Sequence, residues 1–152
     1  MNKEVQEYLN NTVASYGVLY IKLHQHHFYV QGSHFFILHE KFEELYDEAH
    51  EQFDEIAERL VTIGGKPYAT LQEFLDHSII EENPYAGASD IEMVQSTVSD
   101  LRLMSEHLGK GIKLTGDAGD DVTQDRLIDY RTEIDKNIWM LQAFLGKDPM
   151  ED

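Results

Sequence analysis

Cysteine is absent from all 152 residues, which removes disulfides, thiolate zinc sites, iron–sulfur clusters and cysteine nucleophiles together and fits a reducing compartment. The expected location is therefore the cytoplasm. Basic residues are scarce: 12 Lys and Arg stand against 29 Asp and Glu, a formal net charge of −17. A phosphate-binding patch has little to be built from, so direct binding to DNA or RNA is disfavoured. No apolar run approaches the roughly 18 residues of a membrane span, and the opening MNKEVQEYLNN is too polar for a signal-peptide core. Neither a membrane span nor export is expected. Proline occurs only at Pro67, Pro84 and Pro149, which leaves residues 1–66 and 85–148 without the strongest helix breaker.

What fills those stretches is helical periodicity. Leu9, Val13, Tyr16, Tyr20, Leu23, His27 and Val30 recur in alternating steps of four and three, the stripe of a helix with one buried face. Gln31-Gly32-Ser33 interrupts it. A second stripe over 35–63, Leu38, Phe42, Leu45, Ala49, Phe53, Ile56, Leu60 and Ile63, stops at Gly64-Gly65-Lys66-Pro67, a strong C-terminal signal. Thr70-Leu71-Gln72-Glu73 has the form of a capping box and opens a short helix to about His77. A second capping box, Ser89-Asp90-Ile91-Glu92, precedes Ile91, Val94, Val98, Leu101, Leu108 and Ile112. After the break at 116–120, Leu127, Tyr130, Ile134, Ile138, Leu141 and Leu145 form the last stripe. Four long helices and a short one in a long central connection predict one all-α domain over residues 1–152, a ferritin-like antiparallel four-helix bundle with a crossover.

The chemistry is concentrated in residues 24–58, which hold six of the eight histidines: His24, His26, His27, His34, His39 and His50. On the second helix His39 and Glu43 are four apart, as are Asp54 and Glu58, so each pair shares a face and has the spacing to grip one metal ion. Either pair alone is equally a solvated face of an acidic helix, and His27, on the apolar stripe, is equally a core histidine. At about 100° per residue, His39, Glu43, Asp54 and Glu58 fall at roughly 0°, 40°, 60° and 100°, one stripe pointing away from the apolar stripe near −80°. The two pairs are nonetheless about 22 Å apart along a straight helix. A second copy of the helix running antiparallel resolves this. The pairs 39 and 58, and 43 and 54, share one sum, 97. A two-fold axis between Glu48 and Ala49 therefore sets His39 opposite Glu58 and Glu43 opposite Asp54, and creates two identical mixed sites. Imidazole with several carboxylates and no sulfur suits Fe(II) or Mn(II) better than structural zinc.

Beyond this arithmetic, the segment His27-Phe28-Tyr29-Val30-Gln31-Gly32-Ser33-His34-Phe35-Phe36-Ile37-Leu38-His39 resembles the first signature of the Dps family, the twelve-subunit mini-ferritins. Phe53-Asp54-Glu55-Ile56-Ala57-Glu58-Arg59-Leu60, followed by Gly64-Gly65-Lys66-Pro67, resembles the second. Asp135-Lys136-Asn137-Ile138-Trp139-Met140 is similar to the family's last helix. The resemblance implies a hollow shell with ferroxidase centres between two-fold-related subunits. It makes His27 and His39 ligands from one subunit, Asp54 and Glu58 ligands from its partner, and Glu43 the remaining carboxylate of the first subunit, where some members have aspartate. Phe28 stands where many members have tryptophan beside the iron, and Asn137 where histidine is common.

The activity so implied is oxidation of Fe(II) to Fe(III) at a di-iron centre, preferably with hydrogen peroxide, and storage of ferric mineral inside the shell. Asp121 and Asp125, four apart at the start of the last helix, match positions that line the three-fold iron pore in relatives, and Gly116 occupies another pore position that is acidic in some members, with Asp117 beside it. The alternative role for this aspartate pair is favourable placement at a helix N-terminus. Some family members bind DNA through a lysine-rich N-terminal arm. Residues 1–21 here contain Lys3 as their only basic side chain, so no direct DNA binding is expected. The competing functional class is a non-catalytic acidic helical shell or partner-binding protein.

Overall fold

The computed structural model describes residues 2–152. These residues form five helices, α1 (Lys3–Tyr29), α2 (Phe35–Thr62), α3 (Leu71–His77), α4 (Asp90–Asp117) and α5 (Asp121–Phe144), with no strand among them. Short turns join α1 to α2 and α4 to α5 as two antiparallel hairpins, and the long connection between the hairpins carries α3, the arrangement of a four-helix bundle with one crossover. The ferritin-like all-α expectation holds.

Local chemistry sets the helix ends. Asn2 caps α1 by accepting from the Val5 amide. Both anticipated capping boxes form, with Thr70 and Glu73 on α3 and Ser89 and Glu92 on α4 each satisfying the other's amide. At the end of α2, Gly64 takes φ 91°, and the Gly65 amide reaches back to the Leu60 carbonyl at 2.8 Å, a Schellman closure that only glycine adopts without strain. The α1–α2 turn is tied to the second hairpin by His34 Nδ1, 2.8 Å from the Asp90 carboxylate at the start of α4.

The apolar stripes meet in one core. Leu9, Tyr16, Leu23, Leu38, Phe42, Ile56, Leu60, Met104, Leu108 and Leu127 are buried to within 1% of complete exclusion. Ile91 departs from its stripe, 37% exposed, because it lies in the first turn of α4, where the bundle ends. Polar groups also enter the core. Lys22 of α1 pairs with Asp100 of α4, and Tyr16 donates to Gln52, which itself donates to Glu133. His26 packs between Phe42 and Tyr85, and burial, reinforced by the Lys22 charge, pushes its pKa down to about 4. No helix among the described residues is long and apolar enough to cross a membrane.

Candidate metal centre

Of the clustered histidines, the fold brings two together face to face. His27 closes α1 and His39 lies one turn into α2, so the tight connection sets their rings 3.7 Å apart and 16° from parallel. Each ring's Nδ1 is 2.8 Å from the other residue's backbone carbonyl. A carbonyl only accepts, so both Nδ1 atoms carry the proton, and both Nε2 atoms keep a lone pair. The backbone thus selects the tautomer that a metal-ligating imidazole requires. Phe35 stacks on the other side of His39 at 4.9 Å, holding the ring in place.

Tyr46 closes this half-site from the side. Its ring stands edge-on to His27 at 5.2 Å and stacks on His24 at 3.7 Å, and its hydroxyl reaches Glu43 Oε1 at 3.4 Å. The sequence reading missed Tyr46 and Phe35; their spacing from His39, seven residues after and four before, was the available signal. Glu43 itself is exposed on the same face. Phe28 is 68% exposed and touches the His24 and His27 rings.

Asp54 and Glu58 form the other half-set, about four turns further along α2 and likewise exposed. Their carboxylates are close enough that the hydrogen bond protonated Glu58 donates to Asp54, then the Asp54 charge, raises the Glu58 pKa from its ordinary value. The fold does not bring them to the histidines of the same chain. Among the described residues, no three His, Asp or Glu side chains converge to hold one ion.

Asp121 and Asp125 line an open groove of about 580 Å³ that also contains Glu55, Glu58, Arg59 and Arg126. One groove therefore connects the aspartate pair on α5 with a carboxylate of the α2 half-set. Asp120, not Asp121, caps α5 by accepting from the Thr123 amide, and Arg59 holds Asp120 at 3.2 Å. Asp117 is paired with Lys113 at 2.7 Å. Asn137 donates to Glu48 at 2.6 Å beside the midpoint of α2.

A helical bundle that stacks two imidazoles at its α1–α2 turn and sets a carboxylate pair further along the exposed face of α2 has the design of the ferritin-like class, and residues 6–150 match the Ferritin family, described as a ferritin-like domain. Relatives narrow this. The DNA protection during starvation protein (Dps) of Listeria innocua is 47% identical over 149 residues, covering 97% of this chain and 96% of that protein. DNA protection during starvation protein 2 of Bacillus anthracis is 47% identical over 147 residues, covering 97% and 100%. The solved structure of the Listeria innocua protein soaked with zinc superposes with a TM-score of 0.94 at 48% identity, covering 97% of this chain and 99% of that one. The chain belongs to the Dps branch of the ferritin-like family.

Proposed function

We propose that this protein stores and detoxifies iron as a ferroxidase, oxidising Fe(II) to Fe(III) with hydrogen peroxide in a twelve-chain cytoplasmic shell and retaining the ferric product as mineral. The observation that carries the reading is the reciprocal His27–His39 lock, which turns both Nε2 atoms away from the backbone carbonyls, with Glu43 one turn further along α2 and the matching carboxylates, Asp54 and Glu58, out of reach on the same helix. Two antiparallel copies of α2 complete both sites at once, with His27, His39 and Glu43 from one chain and Asp54 and Glu58 from its partner. The apolar residues left outside the core, Phe36, Leu71 and Val122 each more than 60% exposed, support burial against further copies.

Iron is the substrate. Two Fe(II) ions held side by side give up one electron each; the O–O bond of one peroxide breaks, two protons are taken up, and two waters form. Supplying both electrons together avoids release of a hydroxyl radical. The chain's contribution is to hold a proton on Nδ1 of both imidazoles, so that Nε2 is the atom turned to the metal, and to offset most of the cationic charge with three carboxylates. Asp121 and Asp125 draw Fe(II) from solution into the groove that leads toward Glu58.

Protection of DNA, for which the relatives are named, is here chemical: removing Fe(II) and peroxide stops radical production without a DNA complex. Twelve chains at −17 each repel a polyanion. Anaerobic titration with Fe(II), then peroxide, tests the reaction. Saturation at about two Fe(II) per chain, with two Fe(II) consumed per peroxide, is the expected result. Failure of His27→Ala with His39→Ala to abolish that step overturns the assignment, and a gel shift with DNA near physiological salt overturns the chemical mode of protection.

A further inference from the structure

The exposed stripe of α2 runs Glu43, Asp47, His50, Asp54 and Glu58, in steps of four, three, four and four. The shared iron centres use every member except Asp47 and His50. At about 100° per residue these two stand roughly 80° and 20° round from His39, on either side of the ~50° direction about which the proposed ligands balance. Their numbers have the same sum as the two ligand pairs. The axis that sets Glu43 opposite Asp54 of the partner subunit therefore sets His50 opposite Asp47 of the partner subunit, and Asp47 opposite His50 of the partner subunit. Each residue lies only about 2 Å of helix rise from that axis. Packed helices 8–10 Å apart leave a gap that an imidazole from one side and a carboxylate from the other can span.

Within one chain this pair is incomplete, since no third donor joins it among the described residues. His50 is nevertheless supported: its ring rests against Tyr20 of α1 at 5.5 Å, tilted by 38°, while the residue stays exposed. We propose that His50 and Asp47 of two chains together bind one divalent cation of the zinc or cobalt type on the two-fold axis, distinct from both iron centres. The proposal rests on the antiparallel pairing of α2 in the reading above. The donor types are those of the iron centres, but here only four of them close around the axis, two imidazoles and two carboxylates, a tetrahedral count that suits zinc or cobalt and leaves no open position for peroxide. Its consequence is mechanical: a cation that binds only the paired helices favours the dimer by mass action, and the dimer is the unit in which the iron half-sets meet.

Cobalt(II) is the probe, titrated without oxygen into the His27→Ala, His39→Ala protein so that the iron centres do not mask the signal. About half a Co(II) per chain should bind with the visible absorption of a tetrahedral nitrogen–oxygen site. Adding His50→Ala, or separately Asp47→Asn, should remove that half-equivalent while light scattering reports the same assembly size. Absence of a His50-dependent half-equivalent in an intact assembly overturns the axial site, as does loss of a full equivalent per chain. Iron oxidation by the unsubstituted protein is read separately. An active ferroxidase without the Co(II) step overturns the axial site alone, and a half-equivalent in a protein that cannot oxidise iron overturns the iron reading alone. A chain that remains monomeric overturns both.

Discussion

Lys22 Nζ lies 2.7 Å from Asp100 Oδ2, with 4% and 10% of the two side chains exposed, so α1 and α4 are joined by an ion pair inside the bundle. Burial outweighs the ammonium's pull on Asp100: its carboxyl pKa is raised from its ordinary value despite the partner. A folded pKa above the unfolded one means that keeping this carboxylate charged costs stability at neutral pH. The pair is therefore a constraint on how α1 and α4 align more than a net source of stability.

Lys22→Met alone strands the carboxylate and should lower stability by about 3–5 kcal/mol. Lys22→Met with Asp100→Leu should recover most of that loss or exceed the parent. Denaturant midpoints of the three proteins decide it; a double variant no more stable than Lys22→Met alone would mean that the pair itself stabilises the bundle.

His107 gives the fold an acid limb. It stacks on Tyr8 at 4.5 Å, and Thr12 Oγ1 lies 2.8 Å from its Nε2; burial, then the Lys110 charge, lowers its pKa from 6.5 to about 4. The Thr12 hydroxyl already donates to the Tyr8 carbonyl, so Nε2 carries the proton and Thr12 accepts it. Below pH 6.5 the unfolded chain binds a proton that the folded chain refuses, so stability falls as pH drops toward 4, by up to about 3 kcal/mol from this group. His107→Gln should flatten the thermal-midpoint profile between pH 6.5 and 4.5 relative to the parent. Parallel profiles would remove His107 from the acid response.

The bundle was legible in the sequence because its determinants are local. Stripes, two capping boxes and a Gly-Gly-Lys-Pro stop each specify a helix or its end without knowledge of the partner helix. The half-site was legible only in part. His27 and His39 lie twelve residues apart on different helices, and the spacing that marks them says nothing of their reciprocal hydrogen bonds, which arise from the tight α1–α2 turn. Adjacent His26 and His27 meet opposite fates, one sealed between Phe42 and Tyr85 and the other bonded to a carbonyl beside Tyr46. Periodicity sets His27 on the apolar stripe and leaves His26 off it, whereas the fold buries His26 the more completely, because Phe42 and Tyr85 come from outside α1. Lys22 and Asp100 were likewise invisible, since a charged residue inside a stripe reveals its partner only when two helices pack.

Asp121 and Asp125 are free for a role in solution because Asp120 already caps α5. Replacing both with Asn should slow mineral growth at limiting Fe(II) by roughly tenfold, the scale of electrostatic focusing, and leave shell size unchanged, because neither side chain enters the core. An unchanged uptake rate would return the pair to the helix-terminus role.

The division of each iron centre between two chains is tested by complementation. One variant lacks His27 and His39; another lacks Asp54 and Glu58. Alone, each should be almost inactive, since every centre has lost two of its five donors. In a mixed dimer the damage is distributed unevenly: one centre combines both defective halves, while the other combines intact histidines from one chain with intact carboxylates from its partner. Unfolding the two variants together and reassembling them should therefore restore activity, up to about half a centre per chain in a fully mixed dimer. Native mass spectrometry, which separates the two variants by mass, confirms that mixed shells have formed before activity is read. Mixed shells as inactive as either parent would mean that the ligands are not divided in this way, because no arrangement with all five donors in one chain, or with the halves paired differently, predicts recovery from two defective parents at that ceiling.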